Sequence, residues 1–137
     1  MIFLAWILAF IISTFVITFH VSALNKATPL ISQIGSQKSF YKKLLITSYI
    51  LLIHFAEIIM FGILFFMLVK IDGAGEVIGA EYIRDYFYFS AANYTSLGYG
   101  DLYPQGYIRI FSGVEALVGL IMIGWTAAFT FRYITND

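Results

Sequence analysis

The chain has 137 residues, of which 61% are hydrophobic and only 12% are charged, and its mean hydropathy is +0.86. These values exclude an ordinary water-soluble domain and place the chain in a lipid bilayer. A formal net charge of zero gives no overall attraction to nucleic acid or to another polyanion. Because the chain has no cysteine, disulfide bonds, thiolate catalysis and cysteine metal sites are also excluded.

Three apolar runs are each long enough to cross a bilayer, which requires about 20 consecutive apolar residues. They cover Ile2–Leu24, Leu44–Val69 and about Ile110–Tyr133. We therefore predict three transmembrane helices. The first run is not interpreted as a cleaved signal peptide, because it lacks a basic segment at its start and is long for a signal peptide's apolar core.

The connection between the first two runs is basic and contains no acid; its bases are Lys26, Lys38, Lys42 and Lys43. Short loops rich in lysine stay in the cytoplasm. We therefore expect a multi-pass protein of the cell membrane with its N-terminus outside and its C-terminus in the cytoplasm. The segment from Lys70 to Tyr107 then faces outside.

The outer segment begins with a glycine-rich stretch that contains Gly73, Gly75 and Gly79. No Gly-Lys-Ser/Thr sequence follows, so a phosphate-binding loop is disfavoured and a flexible surface loop is predicted. Residues 81–94 contain neither glycine nor proline and begin with acidic residues, which is typical of a helix start. This predicted helix is too short to cross the membrane, so we expect it to re-enter the membrane from outside.

The stretch N-Y-T-S-L-G-Y-G-D-L-Y-P follows this short helix, from Asn93 to Pro104. Non-helical backbone at membrane depth is tolerated only where protein buries it or where it lines a water-filled space, so the stretch predicts a pore. An ion that crosses the apolar core needs oxygen ligands, and backbone carbonyls facing one axis supply them. Gly98 and Gly100 permit the alternating backbone angles that such a run requires. Tyr99, between them, is expected to turn its ring outward and brace the loop.

The segment T-S-L-G-Y-G-D, Thr95 to Asp101, resembles the filter signature of potassium channels, T-T-V-G-Y-G-D, and the following L-Y-P matches many bacterial members. The order of outer helix, pore helix, filter and inner helix also resembles their pore module, over Leu44 to Tyr133. The resemblance implies an all-α membrane protein whose homotetramer encloses one pore and conducts K+ passively. It divides the chain into residues 1–43, the N-terminal helix and basic connection, and residues 44–137, the pore module. Within this module the resemblance implies an outer helix at 44–69, a pore helix at about 81–94, a filter at 95–101 and an inner helix at about 108–133.

The resemblance also implies roles for individual residues. The implied ion-binding residues of the filter are Thr95, Ser96, Leu97, Gly98, Tyr99 and Gly100. The carbonyls from Ser96 to Tyr99, together with the Ser96 hydroxyl, would line the ion sites. Asp101 would brace the outer mouth with Tyr88, which stands where many relatives have a tryptophan. Near Tyr94, the pore helix would direct the negative end of its dipole at a central cavity. No cofactor is expected besides the permeant K+.

Two residues depart from the family's pattern. Ser96 replaces the innermost filter threonine and loses the β-branch that stiffens the side chain, so selectivity at the inner site could loosen. Leu97 replaces a valine, which matters less because the carbonyl faces the ion. A weakly selective cation channel therefore stays open as an alternative. Independently of these two residues, so does a non-conducting, regulatory membrane subunit that retains the fold.

Glu57 lies near the predicted bilayer midplane, and His54 precedes it by three positions on the same helix face. Ionisable groups inside a membrane are costly and suggest a function. One interpretation is a hydrogen-bonded pair that joins the outer helix to the inner helix. The other is a proton-sensitive gate, since a histidine beside a buried carboxyl group can change its charge near neutral pH.

Three further residues receive predictions. Glu115 is expected to pair either with Asn93 behind the pore helix or with the face that carries His54 and Glu57. Gly119 is either a bending point of the inner helix or a site of close helix packing. His20 is expected at the membrane interface. With two histidines and no cysteine, no metal site is expected apart from K+ in the filter.

An enzymatic alternative depends on G-Y-G-D, Gly98 to Asp101, which also fits the GxGD signature of intramembrane aspartyl proteases. Those enzymes need a second aspartate in the membrane to share a proton with the first. No apolar run contains an aspartate, so we expect no enzyme. The first helix also lacks the arginine ladder of a voltage sensor, and steep voltage gating is not expected.

Overall fold

The computed structural model describes residues 2–33 and 39–134. Its helices are α1 (Ile2–Ser32), α2 (Ser39–Leu68), α3 (Ile83–Tyr94) and α4 (Ile108–Ile134), and its strands are β1 (Val77–Ile78) and β2 (Tyr103–Pro104). By length and composition α1, α2 and α4 could each cross a membrane. The prediction of an all-α membrane protein with three spanning helices is therefore confirmed, while Lys38 of the predicted basic connection lies outside the described residues.

The spanning helices α1 and α2 extend beyond the apolar runs that predict them. Helix α1 continues through Lys26, and α2 already includes Lys42 and Lys43. Lysine is a good helix former, and its apolar stem can lie along a helix while the ammonium group reaches the membrane surface. The basic connection is therefore largely helical.

Helix α3 is held between α2 and α4 by tight apolar packing. Phe65 of α2 and Phe89 of α3 are both buried, and their rings meet edge to face at a centroid distance of 4.9 Å. Gly62 of α2 lies against Phe87, where an added Cβ would stand 2.4 Å from the Phe87 ring. Only glycine permits this approach of α2 to α3, so the packing fixes the position of the short helix.

Helix α1 covers this core from one side. Its small residues Ala5 and Ala9 are buried together with Val16, and they belong to the same apolar cluster as Phe111 and Met122 of α4. Small side chains let helices approach closely in membranes, where packing replaces the hydrophobic driving force. The additional helix is thus part of the fold's core.

Two short strands in the outer segment pair with each other and form a contact that is called the clasp below. Strand β1 pairs antiparallel with β2, with Val77 opposite Pro104 and Ile78 opposite Tyr103. The Gln105 amide donates a hydrogen bond of 2.8 Å to the Glu76 carbonyl. Beside it, an added Cβ on Gly75 would lie 2.1 Å from the Gln105 carbonyl oxygen.

The prediction of a flexible surface loop around residues 73–79 is therefore wrong in part. Two-residue strands leave no alternating pattern in the sequence, so this pairing could not be read from periodicity. The clasp ties the segment before α3 to the segment directly after the Thr95–Asp101 loop.

Candidate functional site

The N-terminus of α3 is capped by an acidic side chain. Asp85 Oδ2 accepts hydrogen bonds from the Glu81 amide at 2.8 Å and the Tyr82 amide at 2.7 Å. These backbone hydrogen bonds hold the pKa of Asp85 below its ordinary value. The cap thus gives partners to two amides at the helix start that have none within the helix.

The C-terminus of α3 closes onto its own last turn and releases the filter-like loop. The Leu97 and Gly98 amides both donate to the Ala92 carbonyl, at 2.9 and 3.1 Å, and the Thr95 hydroxyl donates to the Ala91 carbonyl at 2.7 Å. The bonds from Leu97 and Gly98 satisfy a carbonyl in the last turn of the helix. The loop therefore leaves the helix at a fixed angle.

The loop backbone takes a positive φ at every second residue. The φ angles are 56° at Ser96, 51° at Gly98 and 82° at Gly100. No atom of the same chain lies within 4 Å of a Cβ added to either glycine. Glycine is therefore favoured at these two positions by the backbone angle and not by a lack of space. Sequence reasoning expected the alternation only at the glycines and missed Ser96, which is the single non-glycine residue with positive φ in the described part of the chain.

The outer end of the loop rests on Tyr88 of α3. The Tyr88 hydroxyl donates a hydrogen bond of 2.9 Å to Asp101 Oδ2, which raises the pKa of Tyr88. The Tyr88 ring is also nearly parallel to the Tyr99 ring, at a centroid distance of 6.4 Å and an interplanar angle of 8°. The structure thus brings together the three residues that sequence analysis assigned to support of the loop.

A cluster of polar side chains lies inside the helix bundle, hereafter the histidine cluster; it consists of His20, His54, Glu57, Tyr94 and Thr126. His20 Nδ1 lies 2.8 Å from Glu57 Oε1, and His54 Nδ1 lies 3.3 Å from Glu57 Oε2. The Tyr94 hydroxyl donates a hydrogen bond to Glu57 Oε2 and lies 2.8 Å from His54 Nδ1. The carboxylate of Glu57 is therefore the centre of the cluster.

Thr126 of α4 closes the cluster on its other side. Its Oγ1 lies 3.3 Å from His20 Nε2 and 3.1 Å from His54 Nε2, and its hydroxyl donates to the Met122 carbonyl at 2.7 Å. Since Tyr94 is the last residue of α3, the cluster links α1, α2, α3 and α4 directly beneath the loop.

The placement of His20 at the membrane interface is wrong, because the structure buries this residue completely. Helix α1 packs against α2 and α4, which turns His20 toward Glu57. Glu57 was singled out as an ionisable group inside an apolar run, and the same rule applied to His20 would have found it. The structure also differs from the expectation of no metal-ligand group beyond the filter, since the ligand atoms of His20, His54 and Glu57 all lie within 4.8 Å of one another.

Glu115 belongs to a separate polar contact behind α3. Its Oε1 accepts a hydrogen bond of 2.5 Å from the Ser90 hydroxyl, which also lies 2.8 Å from the Ile58 carbonyl oxygen. Of the two environments expected for Glu115, the structure shows the one behind the short helix, with Ser90 as the hydrogen-bond partner. Asn93 Nδ2 and Glu115 Oε2 are buried atoms without a hydrogen-bond partner in the described part of the chain.

Gly119 marks the point where α4 touches the end of α3. An added Cβ would lie 1.9 Å from the Tyr94 carbonyl oxygen, so a larger residue could not keep this contact. Close packing at Gly119 is thus a feature of the structure, whereas a bending role remains a prediction. Gly124 has nothing within 4 Å of an added Cβ.

Comparison with known proteins identifies the family. A family model described as ion channel matches residues 53–136, a range that contains the second half of α2, the short helix, the loop and α4. No curated protein and no solved structure matches the chain significantly. The matched range is more than half of the chain and contains the loop with alternating backbone angles. The chain therefore belongs to the ion channel family, with the two-helix pore that is typical of potassium channels.

Proposed function

We propose that the chain forms a homotetrameric, potassium-selective channel that conducts K+ passively down its electrochemical gradient. The observation that carries the proposal is the positive φ at Ser96, Gly98 and Gly100, which falls on the T-S-L-G-Y-G-D segment. A backbone that alternates in this way is what a run of carbonyl ligands on one axis requires. Ion-channel membership adds independent support.

The exposure of the loop supports a tetramer. Every residue from Thr95 to Asp101 is exposed in one chain, and the side chains of Leu97 and Tyr99 are 58% and 68% exposed. Irregular backbone at membrane depth has to be covered by protein or by a water-filled channel. Four copies around one axis would cover the side chains and leave the carbonyls facing the pore. The mass of the purified complex in detergent tests this assembly: four chains are expected, and a stable monomer or dimer contradicts it.

In this assembly the carbonyls of Ser96, Leu97, Gly98 and Tyr99 would replace the water shell of K+, with the Ser96 hydroxyl at the inner end. Thr95 and Gly100 would complete the set of ion-binding residues at the inner and outer ends of the loop. The proposed function includes no enzymatic step, because the spans contain no aspartate that could pair with Asp101.

A weakly selective cation channel is the second candidate, and Ser96 is the observation that favours it. Serine lacks the branched side chain of threonine, so its hydroxyl is less restricted in orientation. Ser96 also holds a left-handed backbone angle that non-glycine residues adopt at an energetic cost. A looser inner site would discriminate less between K+ and Na+.

We further propose that the N-terminus lies outside and the C-terminus in the cytoplasm of the cell membrane. In a three-span topology the end of α1, the start of α2 and the end of α4 share one side of the membrane. The basic residues at these helix ends are Lys26, Lys42 and Arg132. Basic residues next to spanning helices favour the cytoplasmic side. The chain has no native cysteine, so single cysteines can report the topology. A membrane-impermeant maleimide added outside intact cells should label Ile71→Cys but not Tyr41→Cys; the reverse result inverts the orientation.

Ion flux from liposomes tests the function. Purified wild-type protein should release K+ down its gradient and pass much less Na+ under the same conditions. Gly98→Ala should abolish the flux, because alanine disfavours a φ of 51°. Gly73→Ala is the matched control, since Gly73 also has a positive φ, of 79°, with nothing within 4 Å of an added Cβ, but lies outside the loop and should leave the flux unchanged. Equal K+ and Na+ fluxes would support the weakly selective channel, and no flux would support a non-conducting subunit.

A further inference from the structure

We propose that His20, His54 and Glu57 form a binding site for a transition-metal cation of the zinc class. The three residues come from α1 and α2, and their ligand atoms all lie within 4.8 Å of one another. His20 and Glu57 are completely buried, and the side chain of His54 is 15% exposed. The proposal concerns a site separate from the pore loop and goes beyond the proposed conduction of K+.

Hydrogen-bond counting shows which ring nitrogens a metal ion could bind. The Thr126 hydroxyl has one hydrogen, and a carbonyl can only accept, so the hydrogen goes to the Met122 carbonyl. The contacts of Thr126 Oγ1 with His20 Nε2 and His54 Nε2 then require both Nε2 atoms to be donors. In a neutral imidazole the other nitrogen carries a lone pair. Neutral rings that keep both Nε2 atoms as donors to Thr126 would therefore offer their Nδ1 lone pairs to a metal ion beside Glu57.

In the structure both Nδ1 atoms lie against oxygen atoms. His20 Nδ1 lies 2.8 Å from Glu57 Oε1, and His54 Nδ1 lies 3.3 Å from Glu57 Oε2. The single Tyr94 hydroxyl hydrogen is directed at Glu57 Oε2, so the Tyr94 oxygen can only accept from His54 Nδ1, which lies 2.8 Å away. Without a metal ion, this contact requires a hydrogen on His54 Nδ1. A divalent cation bound to both Nδ1 atoms and to the Glu57 carboxylate would take the place of such hydrogens and would keep positive charge beside the buried carboxylate.

The donor set selects the chemical class of the ion. Imidazole nitrogen with one carboxylate suits zinc and its neighbours, while calcium and magnesium prefer oxygen alone. Zinc bonds of about 2.0–2.2 Å place neighbouring ligand atoms roughly 3.3 Å apart in a tetrahedral site. The separation of 3.3 Å between His54 Nδ1 and Glu57 Oε2 already fits, and the 2.8 Å contact of His20 needs only a small side-chain movement.

The surroundings supply the outer contacts that metal sites need. Histidines that bind metal usually donate their second N–H to an acceptor, which orients the ring. Thr126 is placed to accept from both rings, and Tyr94 donates to the carboxylate. A bound metal ion would join α1 to α2 next to Tyr94, the residue before the loop. This would give the additional helix α1 a specific structural role.

Metal content measures the site directly, using the full chain without a histidine affinity tag. The protein is stripped with a chelator, dialysed against Zn²⁺ and analysed for bound zinc. One zinc per chain is expected for wild type, and background zinc for the double variant His20→Ala, His54→Ala. Background zinc in wild type would overturn the proposal and leave protons as the positive charge, and unchanged zinc in the double variant would place the ion elsewhere.

Cobalt substitution tests the site in wild-type protein, so it does not depend on the folding of variants. Co²⁺ in place of Zn²⁺ should give the strong visible absorption of a four-coordinate nitrogen and oxygen site, and Zn²⁺ should displace it stoichiometrically. If the protein showed no more than the weak absorption of hydrated Co²⁺, the assignment would be contradicted.

Thr126→Ala then tests the outer contacts. Loss of a contact of this kind typically weakens metal binding by about 10–100-fold. Thr18→Ala is the matched control, because the Thr18 hydroxyl makes the same bond to the carbonyl one turn earlier and lies on an exposed face. Equal zinc affinity in the two variants would show that Thr126 does not orient the histidines.

Discussion

The hydroxyl of Tyr94 donates a hydrogen bond to the carboxylate of Glu57, which joins the last residue of α3 to the middle of α2. Tyr94 is also the residue whose carbonyl touches Gly119 of α4. The next residue, Thr95, begins the loop that carries the proposed ion sites. The anchoring of Tyr94 therefore determines where that loop starts.

We expect Tyr94→Phe to lower the free energy of unfolding by about 1.5–3 kcal/mol, the usual range for a hydrogen bond to a charged group. The ring would still fill its space, but Glu57 would lose one donor in an apolar interior. Denaturant unfolding in detergent micelles measures the change. Tyr86→Phe on the same helix is the control, because the contact of its ring with Phe66 needs no hydroxyl. Equal stability of the two variants would show that the bond to Glu57 contributes nothing.

Gly119→Ala should destabilise the protein by about 1–3 kcal/mol, as is typical when a side chain is forced into a packed interior. The added Cβ would lie 1.9 Å from the Tyr94 carbonyl oxygen, so α3 and α4 would have to separate. Gly124→Ala, on the same helix in open space, should be neutral or slightly stabilising because alanine favours helix. Thermal unfolding of both variants measures the difference, and a Gly119→Ala protein as stable as Gly124→Ala contradicts the observed contact.

The capping of α3 by Asp85 predicts a pH-dependent contribution to stability. Hydrogen bonds from the Tyr82 and Glu81 amides lower the pKa of Asp85 in the folded protein. The contribution is therefore present above the ordinary value of about 3.9 and is lost as the pH falls through the lower folded pKa.

Asp85→Ala should accordingly lower the thermal midpoint at neutral pH, and its difference from wild type should shrink in acid. Asp72→Ala removes the same charge from the exposed outer segment and serves as the control, with no change in midpoint expected. A difference that grows as the pH falls would reverse the sign and refute the capping role.

The bond between Tyr88 and Asp101 predicts the opposite dependence on pH. This bond raises the pKa of Tyr88, so its stabilisation is complete below the ordinary value of about 10 and is lost as the pH rises through the raised pKa. Tyr88→Phe should weaken the outer end of the loop at neutral pH and reduce K+ flux. Tyr103→Phe, also exposed in the outer segment, should not. Flux that is equal in both variants would remove Tyr88 from the support of the loop.

The spanning helices and the short helix could be predicted from sequence because each depends on local composition. Apolar length defines α1, α2 and α4, and the acidic start with no glycine or proline defines α3. The pairing of His54 with Glu57 also follows from spacing along one helix. These features require no knowledge of how the helices pack.

The rest of the site depends on contacts between segments distant in sequence. His20 and Thr126 are 106 positions apart, and only the packing of α1 against α4 brings them together. The β1–β2 pairing and the close approach at Gly119 depend in the same way on tertiary contacts. The left-handed angle at Ser96 was missed for a different reason, because serine carries no signal for such an angle.

The reversal potential of the reconstituted protein tests the central claim most directly. The wild-type protein in a planar bilayer, with equal concentrations of K+ on one side and Na+ on the other, should carry current that reverses at a potential strongly displaced in the direction of K+ selectivity. A reversal potential near zero would show that the carbonyl row does not distinguish the two ions. An absence of current through correctly inserted protein would contradict conduction itself.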